Sequence, residues 1–570
     1  MVERSGPALP EIGFDSIGDL VAARAGVDPG RAAVRFRAAG GKWTELSWGE
    51  LDERRRVVAA GLSQLGVGRG DTVAVVAHNS PEMLIAELAV ISLGAASAAL
   101  FPDGPAEVLS QCLTDSGAKV VLAGSAAQQH RLRGFEKVVV LDDQPLAGGI
   151  PLKSLSGSIE LPRVSADEVA FVLYTGGTTG RQKGVELTHR NALAQQAAMS
   201  VTWEISEKDV FLSYLPWHHS FGSLFERLMA LWHRATLVLD DSRGKDLDKL
   251  LGNLAEVKPT VYFGVPRVYH ALAARTRRDP KAHGAVFKGS LRFVFSAAAP
   301  VSEEVFDWFE KNGVPVLEGW GLTEASPCVT VTRPGTPRAP GIDGWPLPGT
   351  TVRLEKGDHP RFGEAVVRGP QVMKGYRNLP AETARVLRNG ELWTGDLAEW
   401  TPTGLRLHGR ADGVFKLENG EKVSSGEVEL RILAATPLVE QCVVLGHGQV
   451  FVTALCWVAP GPARRFVEQR GLDLPKTYAE LSRVPELRRA LAEALQAANL
   501  LTNLPSERIR RVGLVPDPPS LEKGEITDTL RMVRIVAGEL HEDLAAAMRH
   551  EVPHPQVIDL IRRGDAFGHS

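Results

Sequence analysis

The stretch Tyr174-Thr-Gly-Gly-Thr-Thr-Gly-Arg-Gln-Lys-Gly-Val-Glu-Leu-Thr-His-Arg-Asn191 gathers four glycines, four threonines and Lys183 into eighteen residues. Glycines let backbone N–H groups crowd around an anion, threonine hydroxyls add donors, and the lysine adds positive charge. That combination is the chemistry of a phosphate cradle, and its spacing shows which kinds it is not. A Walker loop requires Gly-x-x-x-x-Gly-Lys-Ser/Thr, whereas Gly180 is followed by Arg181-Gln182-Lys183-Gly184. A dinucleotide fingerprint, Gly-x-Gly-x-x-Gly, fails because Gly176 and Gly177 are adjacent. A plain surface turn seldom carries so many hydroxyls beside a lysine.

Other groups able to do chemistry lie far along the chain. His218 and His219 follow Leu215-Pro216-Trp217, Glu324 closes Gly319-Trp320-Gly321-Leu322-Thr323-Glu324, and Asp396 closes Thr394-Gly395-Asp396. Taken singly, each has a plainer reading: a satisfied structural histidine, a core tryptophan, a solvated carboxylate, a turn aspartate and, for Arg410, a surface salt bridge.

Bringing such distant residues together takes a large scaffold. At 570 residues the chain exceeds what one hydrophobic core supports, so at least two domains are expected. Hydrophobic content of 44% and charged content of 23% describe an ordinary globular protein, and a net charge of −3 gives no reason to invoke nucleic acid or an anionic membrane. Cys112, Cys328, Cys442 and Cys456 are scattered without metal-ligand spacing, which implies reduced, buried thiols and a cytoplasmic setting. The N-terminus lacks the basic-then-apolar layout of a signal peptide. The run from Met83 to Phe101 is long enough to span a membrane, but Glu87, Ser92, Gly94 and Ser97 interrupt it. It reads instead as a buried helix, capped by Ser80, opened by Pro81 and stopped at Gly94, followed by a strand.

The scaffold reads as α/β. Ser47-Trp48-Gly49-Glu50 is a capping box, and Leu51, Val58, Leu62 and Leu65 form the helical stripe behind it. Thr72–Ala77, Lys119–Ala123 and Val138–Leu141 are short apolar runs of the kind found in buried parallel strands. Alternating strands and helices of these lengths imply doubly wound sheets. Pro485 announces a late helix over Leu487–Leu501, and His554–Ser570 has little pattern and reads as peripheral.

The Thr175–Asn191 stretch resembles the phosphate loop of the adenylate-forming superfamily: acyl-CoA synthetases, luciferases and adenylation domains. Leu215–Gly222 resembles that family's Leu-Pro-x-x-His segment, Gly319–Glu324 its adenine-binding turn, and Thr394–Asp396 its ribose-binding aspartate. Gly409-Arg410-Ala411-Asp412 with Lys416-Leu-Glu-Asn-Gly420 resembles the hinge and the start of its lid, and Gly524–Leu530 its long-chain acyl-CoA synthetase branch. The ordered set spans roughly residues 40 to 535. It implies a large N-terminal domain, residues 1–409, of two doubly wound subdomains and a small distorted β-barrel. A smaller mobile α+β lid, residues 410–570, follows a hinge near Asp412.

The resemblance also implies roles. A carboxylate attacks the α-phosphate of ATP, giving acyl-AMP and pyrophosphate; the lid then rotates and the thiol of CoA displaces AMP. Thr175, Gly176, Gly177, Thr178, Thr179, Gly180 and Lys183 would hold phosphates. Trp320, Gly321 and Ala298 (within Ser296–Pro300) would meet adenine, and Asp396 and Arg410 the ribose and phosphate. Thr323 would touch the α-phosphate and Glu324 a Mg²⁺. His219, or its neighbour His218, would gate an acyl pocket walled by Trp217, Phe221 and Phe225. Lys416 and Gly420 would line the CoA path.

Two positions depart from the family. Gly177 stands where serine is usual, which removes a hydroxyl from the cradle. Arg531 stands where the branch has the lysine that bridges carboxylate and α-phosphate. A planar fork replacing a compact ammonium is not conservative at a tight site. Both changes weaken ATP chemistry and neither touches the CoA side. The sequence therefore points to an acyl-CoA ligase that runs mainly the thioester half-reaction, on an acyl-adenylate supplied by a separate adenylating enzyme. The alternatives are a complete ATP-dependent synthetase, a ligase that loads a carrier protein, and a non-catalytic binder of nucleotide or acyl-AMP. The last has no use for a hinge.

Overall fold

The computed structural model describes residues 2–38, 40–176, 182–297, 301–356, 362–527, 532–550 and 554–560. The architecture is α/β. One eight-stranded sheet runs in the order Gly375–Tyr376, Gln182–Thr188, Val169–Gly176, Ala96–Leu100, Thr72–Val76, Val120–Ala123, Val138–Val140, Ile150–Pro151. From Val169–Gly176 onward its neighbours are parallel, and the two strands at the other edge turn back antiparallel. Thr72–Val76 is buried at every position, as a strand covered on both faces must be.

A nine-stranded sheet packs beside it with a parallel centre of Val316–Gly321, Phe293–Ser296, Val261–Gly264, Val210–Ser213 and Thr236–Leu239. Where the resemblance implies a small barrel, a six-stranded antiparallel sheet is built on Thr351–Lys356, Gly363–Arg368 and Glu391–Thr401. One hydrophobic cluster extends from Ile17 to Leu405. Another, from Leu417 to Leu560, surrounds a four-stranded sheet of Val439–Leu445, Val452–Val458, Ile509–Leu514 and Val557–Asp559.

Local signals act where they stand. Ser47 and Glu50 close the capping box of the helix Trp48–Gln64. Ser80 accepts from the Met83 N–H to start Pro81–Ser92, a helix buried on almost every side. Among the described residues no helix is long and apolar enough to cross a membrane. Pro485 opens the helix Pro485–Asn499, whose Leu487, Leu491 and Leu495 form one buried face.

The tail differs from its expected peripheral place: Val557–Asp559 pairs with Ile509–Leu514 and turns Ile558 into the core. A three-residue strand has too little pattern to be read before its partner is known.

Candidate active site

Thr175 and Gly176 end the strand Val169–Gly176, and Gln182–Thr188 returns beside it with Thr175 opposite Lys183 and Gly176 opposite Gln182. Residues 170–173 of the first strand are continuously buried, and the antiparallel pairing of the second strand along it holds this hairpin in the sheet with Lys183 opposite Thr175. Lys183 Nζ donates to Glu382 Oε2 at 2.9 Å and stands 5.2 Å from the Tyr376 ring centroid. Tyr376 in turn donates its hydroxyl to Glu324 Oε1 at 2.6 Å. Burial, then the Glu324 carboxylate, pushes the Tyr376 phenol above its ordinary range. Gly177, Thr178, Thr179 and Gly180 lie outside the described residues, as do Ala298 and Arg531.

The turn after Val316–Gly321 is compact. A Cβ on Gly321 would fall 1.7 Å from the Pro327 carbonyl oxygen, so only glycine fits there. Thr323 Oγ1 is 3.0 Å from Ser220 Oγ, which ties this turn to the histidine segment. That segment enters a π-helical turn, Phe221–Arg227, a geometry common at functional sites. His218 stacks on Phe101 with centroids 5.1 Å apart, and His219 is half-buried beside it.

Asp396 is the most constrained group. Trp320 Nε1 donates to its Oδ2 at 2.9 Å and Arg410 Nη1 to its Oδ1 at 3.1 Å. The strands Glu391–Thr401 and Gly404–Arg410 place Asp396 directly opposite Arg410. Arg410 also donates to the Thr394 carbonyl at 2.7 Å, and Asp412 stands 3.6 Å from its Nε. Nearby, burial and then the Asp396 charge push the Asp343 carboxyl up to about 7. Burial pushes Glu318, at the foot of the Trp320 turn, up to about 8.

Several expected residues have other surroundings than their types suggest. Trp217 and Phe225 expose 0% and 1% of their surface, so in this conformation neither offers a wall to a ligand, whereas Phe221 is half-buried. Trp217 lies under Arg227, and Phe225 is packed among Trp203, Phe263 and Phe295. Trp320, 4% exposed, is embedded too, with its indole N–H spent on Asp396. Lys416 and Gly420 are exposed on the hairpin formed by Val414–Lys416 and Lys422–Ser424.

The C-terminal part reaches the glycine-rich hairpin. A Cβ on Gly176 would meet Thr527 Cγ2 at 3.3 Å. The legs around Thr527 are secured: Ile526 pairs with Met532, the Val533 N–H donates to the Glu525 carbonyl, and His541 Nε2 is 2.6 Å from Glu525 Oε1. Two contributors have no signal in the local sequence: Tyr376 and Glu382 reach the site only through pairing of distant segments.

A nucleotide suits this arrangement. The opposed Thr175 and Lys183 match phosphate, and a constrained carboxylate beside a guanidinium matches vicinal hydroxyls and phosphate. Among the described residues no group of three or more His, Cys, Asp or Glu side chains is arranged to hold a metal. Glu324 alone suits a Mg²⁺ held chiefly by the nucleotide's own phosphates, a common mode for that ion.

Comparisons with known proteins show the family. Residues 21–377 match the AMP-binding enzyme family, and residues 412–528 match the AMP-binding enzyme C-terminal domain. The peroxisomal long chain acyl-CoA synthetase 7 of Arabidopsis thaliana is 27% identical over 96% of this chain and 88% of its own length. The long-chain-fatty-acid–CoA ligase FadD15 of Mycobacterium bovis is 27% identical over 97% of this chain and 100% of its own. Among solved structures, the anthranilate CoA ligase AuaEII in complex with anthranoyl-AMP shares the fold with a TM-score of 0.77, at 20% identity over 94% of this chain and 99% of that one. ATP-bound MatB from Rhodopseudomonas palustris follows the fold with a TM-score of 0.74, at 25% identity over 93% and 100%. With a glycine-rich hairpin, a carboxylate held by Trp320 and Arg410, and this match over most of its length, the chain belongs to the AMP-binding enzyme family.

Proposed function

We propose that this protein is an acyl-CoA ligase that joins an acyl group, carried as its adenylate, to the thiol of CoA, and that it favours this half of the reaction over making the adenylate. The observation that carries the adenylate-binding part of the reading is the constraint on Asp396; the preference rests on the positions of Arg531 and Gly177. Trp320, Arg410 and the strand pairing hold one carboxylate ready for the two ribose hydroxyls of AMP. Trp320 acts by orienting it. Lys183 and Thr175 face the outer phosphates, Glu324 accompanies Mg²⁺, and Mg²⁺ when bound neutralises phosphate charge. Thr323, tied to Ser220, places the α-phosphate beside His219 at the acyl entrance. The segment 410–570 is the lid, and Asp412, on a short turn just past Arg410, is its hinge: a few backbone dihedrals there can absorb a domain rotation. Lys416 and Gly420, exposed beyond the hinge, border the CoA path. Relatives named as long-chain acyl-CoA synthetases support CoA as the acceptor and an aliphatic acid as the acyl group.

The reading is tested with synthetic acyl-AMP and CoA. Acyl-CoA is expected by mass spectrometry, whereas transfer only to a phosphopantetheinylated carrier protein would displace CoA from the proposal. A binding measurement tests the ribose role. Asp396→Ala leaves the ribose hydroxyls without their acceptor and is expected to weaken AMP binding by about 1–3 kcal/mol. Calorimetry giving the same AMP affinity in that variant refutes the assignment.

A further inference from the structure

Lys183 does not wait free in the cradle. Its ammonium is paired with Glu382 at 2.9 Å, and the two side chains are only 19% and 30% exposed. Glu382 is held from its other side as well, because Arg385 Nη1 donates to its Oε1 at 2.9 Å. The Lys183 hydrogen bond, then its charge, draws the Glu382 carboxyl below its ordinary range. The helix Pro380–Val386 that carries Glu382 is fixed to the site, since Thr383 Oγ1 accepts from the Tyr376 N–H at 2.9 Å and the strand Gly375–Tyr376 pairs with the phosphate hairpin.

We infer that Glu382 is a parking partner for Lys183: it holds the ammonium when no triphosphate is bound, competes with the β- and γ-phosphates for it, and takes it back as pyrophosphate leaves. The inference rests on the reading that Lys183 faces those phosphates. The physical case has three parts. A lysine is a point charge on a flexible stem, so it can move between two acceptors without disturbing the backbone. An ion pair at this depth is partly screened and is worth little enough for a polyphosphate to displace. Arg385 remains on the carboxylate after Lys183 departs, so Glu382 is never left as an unpaired anion beside the incoming phosphates.

The sign of the effect distinguishes this role from a structural one. If Glu382 competes, Glu382→Gln keeps the shape and a hydrogen bond but removes the rival charge, and ATP and pyrophosphate bind more tightly. If Glu382 merely orients Lys183 toward the phosphates, the same change weakens them. AMP has no β- or γ-phosphate and serves as the internal reference.

Calorimetry on the full-length protein with ATP, pyrophosphate and AMP tests this directly. Glu382→Gln is expected to tighten ATP and pyrophosphate by about two- to ten-fold, in the range of a partly exposed ion pair plus removal of a like charge, with AMP unchanged. Unchanged or weaker ATP binding in Glu382→Gln overturns the inference, as does an equal gain for AMP. Lys183→Ala supplies the comparison. Loss of ATP affinity there, without the Glu382→Gln gain, removes the parking role alone. No loss in Lys183→Ala overturns both that role and the phosphate-site reading beneath it.

Discussion

Supplied with a carboxylic acid, ATP, Mg²⁺ and CoA, the protein is expected to release pyrophosphate about 10²–10³-fold more slowly than a complete synthetase, the cost of losing one preorganised donor at developing charge. Given acyl-AMP and CoA, it is expected to form thioester readily. The asymmetry follows from where the substitutions fall. By the family resemblance, Arg531 takes the place of a lysine expected to meet carboxylate and α-phosphate, and Gly177 that of a serine expected in the phosphate loop. Asp412, Lys416 and Gly420, which the same resemblance assigns to the hinge and the CoA path, are retained. Among the described residues, Thr527 lies against Gly176, and Ile526 pairs with Met532. A guanidinium keeps the charge but spreads it over a wide fork, so the loss is one of geometry. Acid-dependent pyrophosphate release on the order of 10 s⁻¹ by the unaltered protein would restore the complete synthetase as the better description.

Arg227→Ala is expected to destabilise the large domain by about 3–5 kcal/mol, because it leaves a buried carboxylate without its counter-ion. Arg227 Nη1 lies 2.6 Å from Glu87 Oε2, and the two side chains are 4% and 1% exposed. Ser97 Oγ donates to the other oxygen of Glu87 at 3.1 Å, and the Arg227 guanidinium lies over the Trp217 ring at 4.9 Å. The pair therefore bolts the helix Pro81–Ser92 to the π-helical turn that follows His219. Denaturant unfolding followed by tryptophan fluorescence measures the effect. The double variant Glu87→Met with Arg227→Met is expected to recover most of the loss, since removing both charges avoids the unpaired anion. A single-variant loss below about 1 kcal/mol, the scale of an exposed ion pair, would show that water reaches the Glu87 carboxylate.

The amino-acid sequence by itself determined whatever depends on near neighbours. Ser47 with Glu50, and Ser80 with Pro81, start helices because a cap bonds to its own first turn. The glycine-rich hairpin reads as an anion site because its donors are consecutive. The family is legible because each of its motifs is a short stretch in a set order, and the departures proposed at Gly177 and Arg531 rest on that order. The tertiary structure decided what distant segments do to each other. Glu382 meets Lys183 across 199 residues and Trp320 meets Asp396 across 76, separations that leave no periodicity to read. Trp217 and Phe225 illustrate the same limit: an aromatic beside a histidine can wall a pocket or fill a core, and only the packing of Arg227, Phe263 and Phe295 around them makes them core. Side-chain type records what a residue can do, and burial and pairing, which are non-local, select which of those things it does.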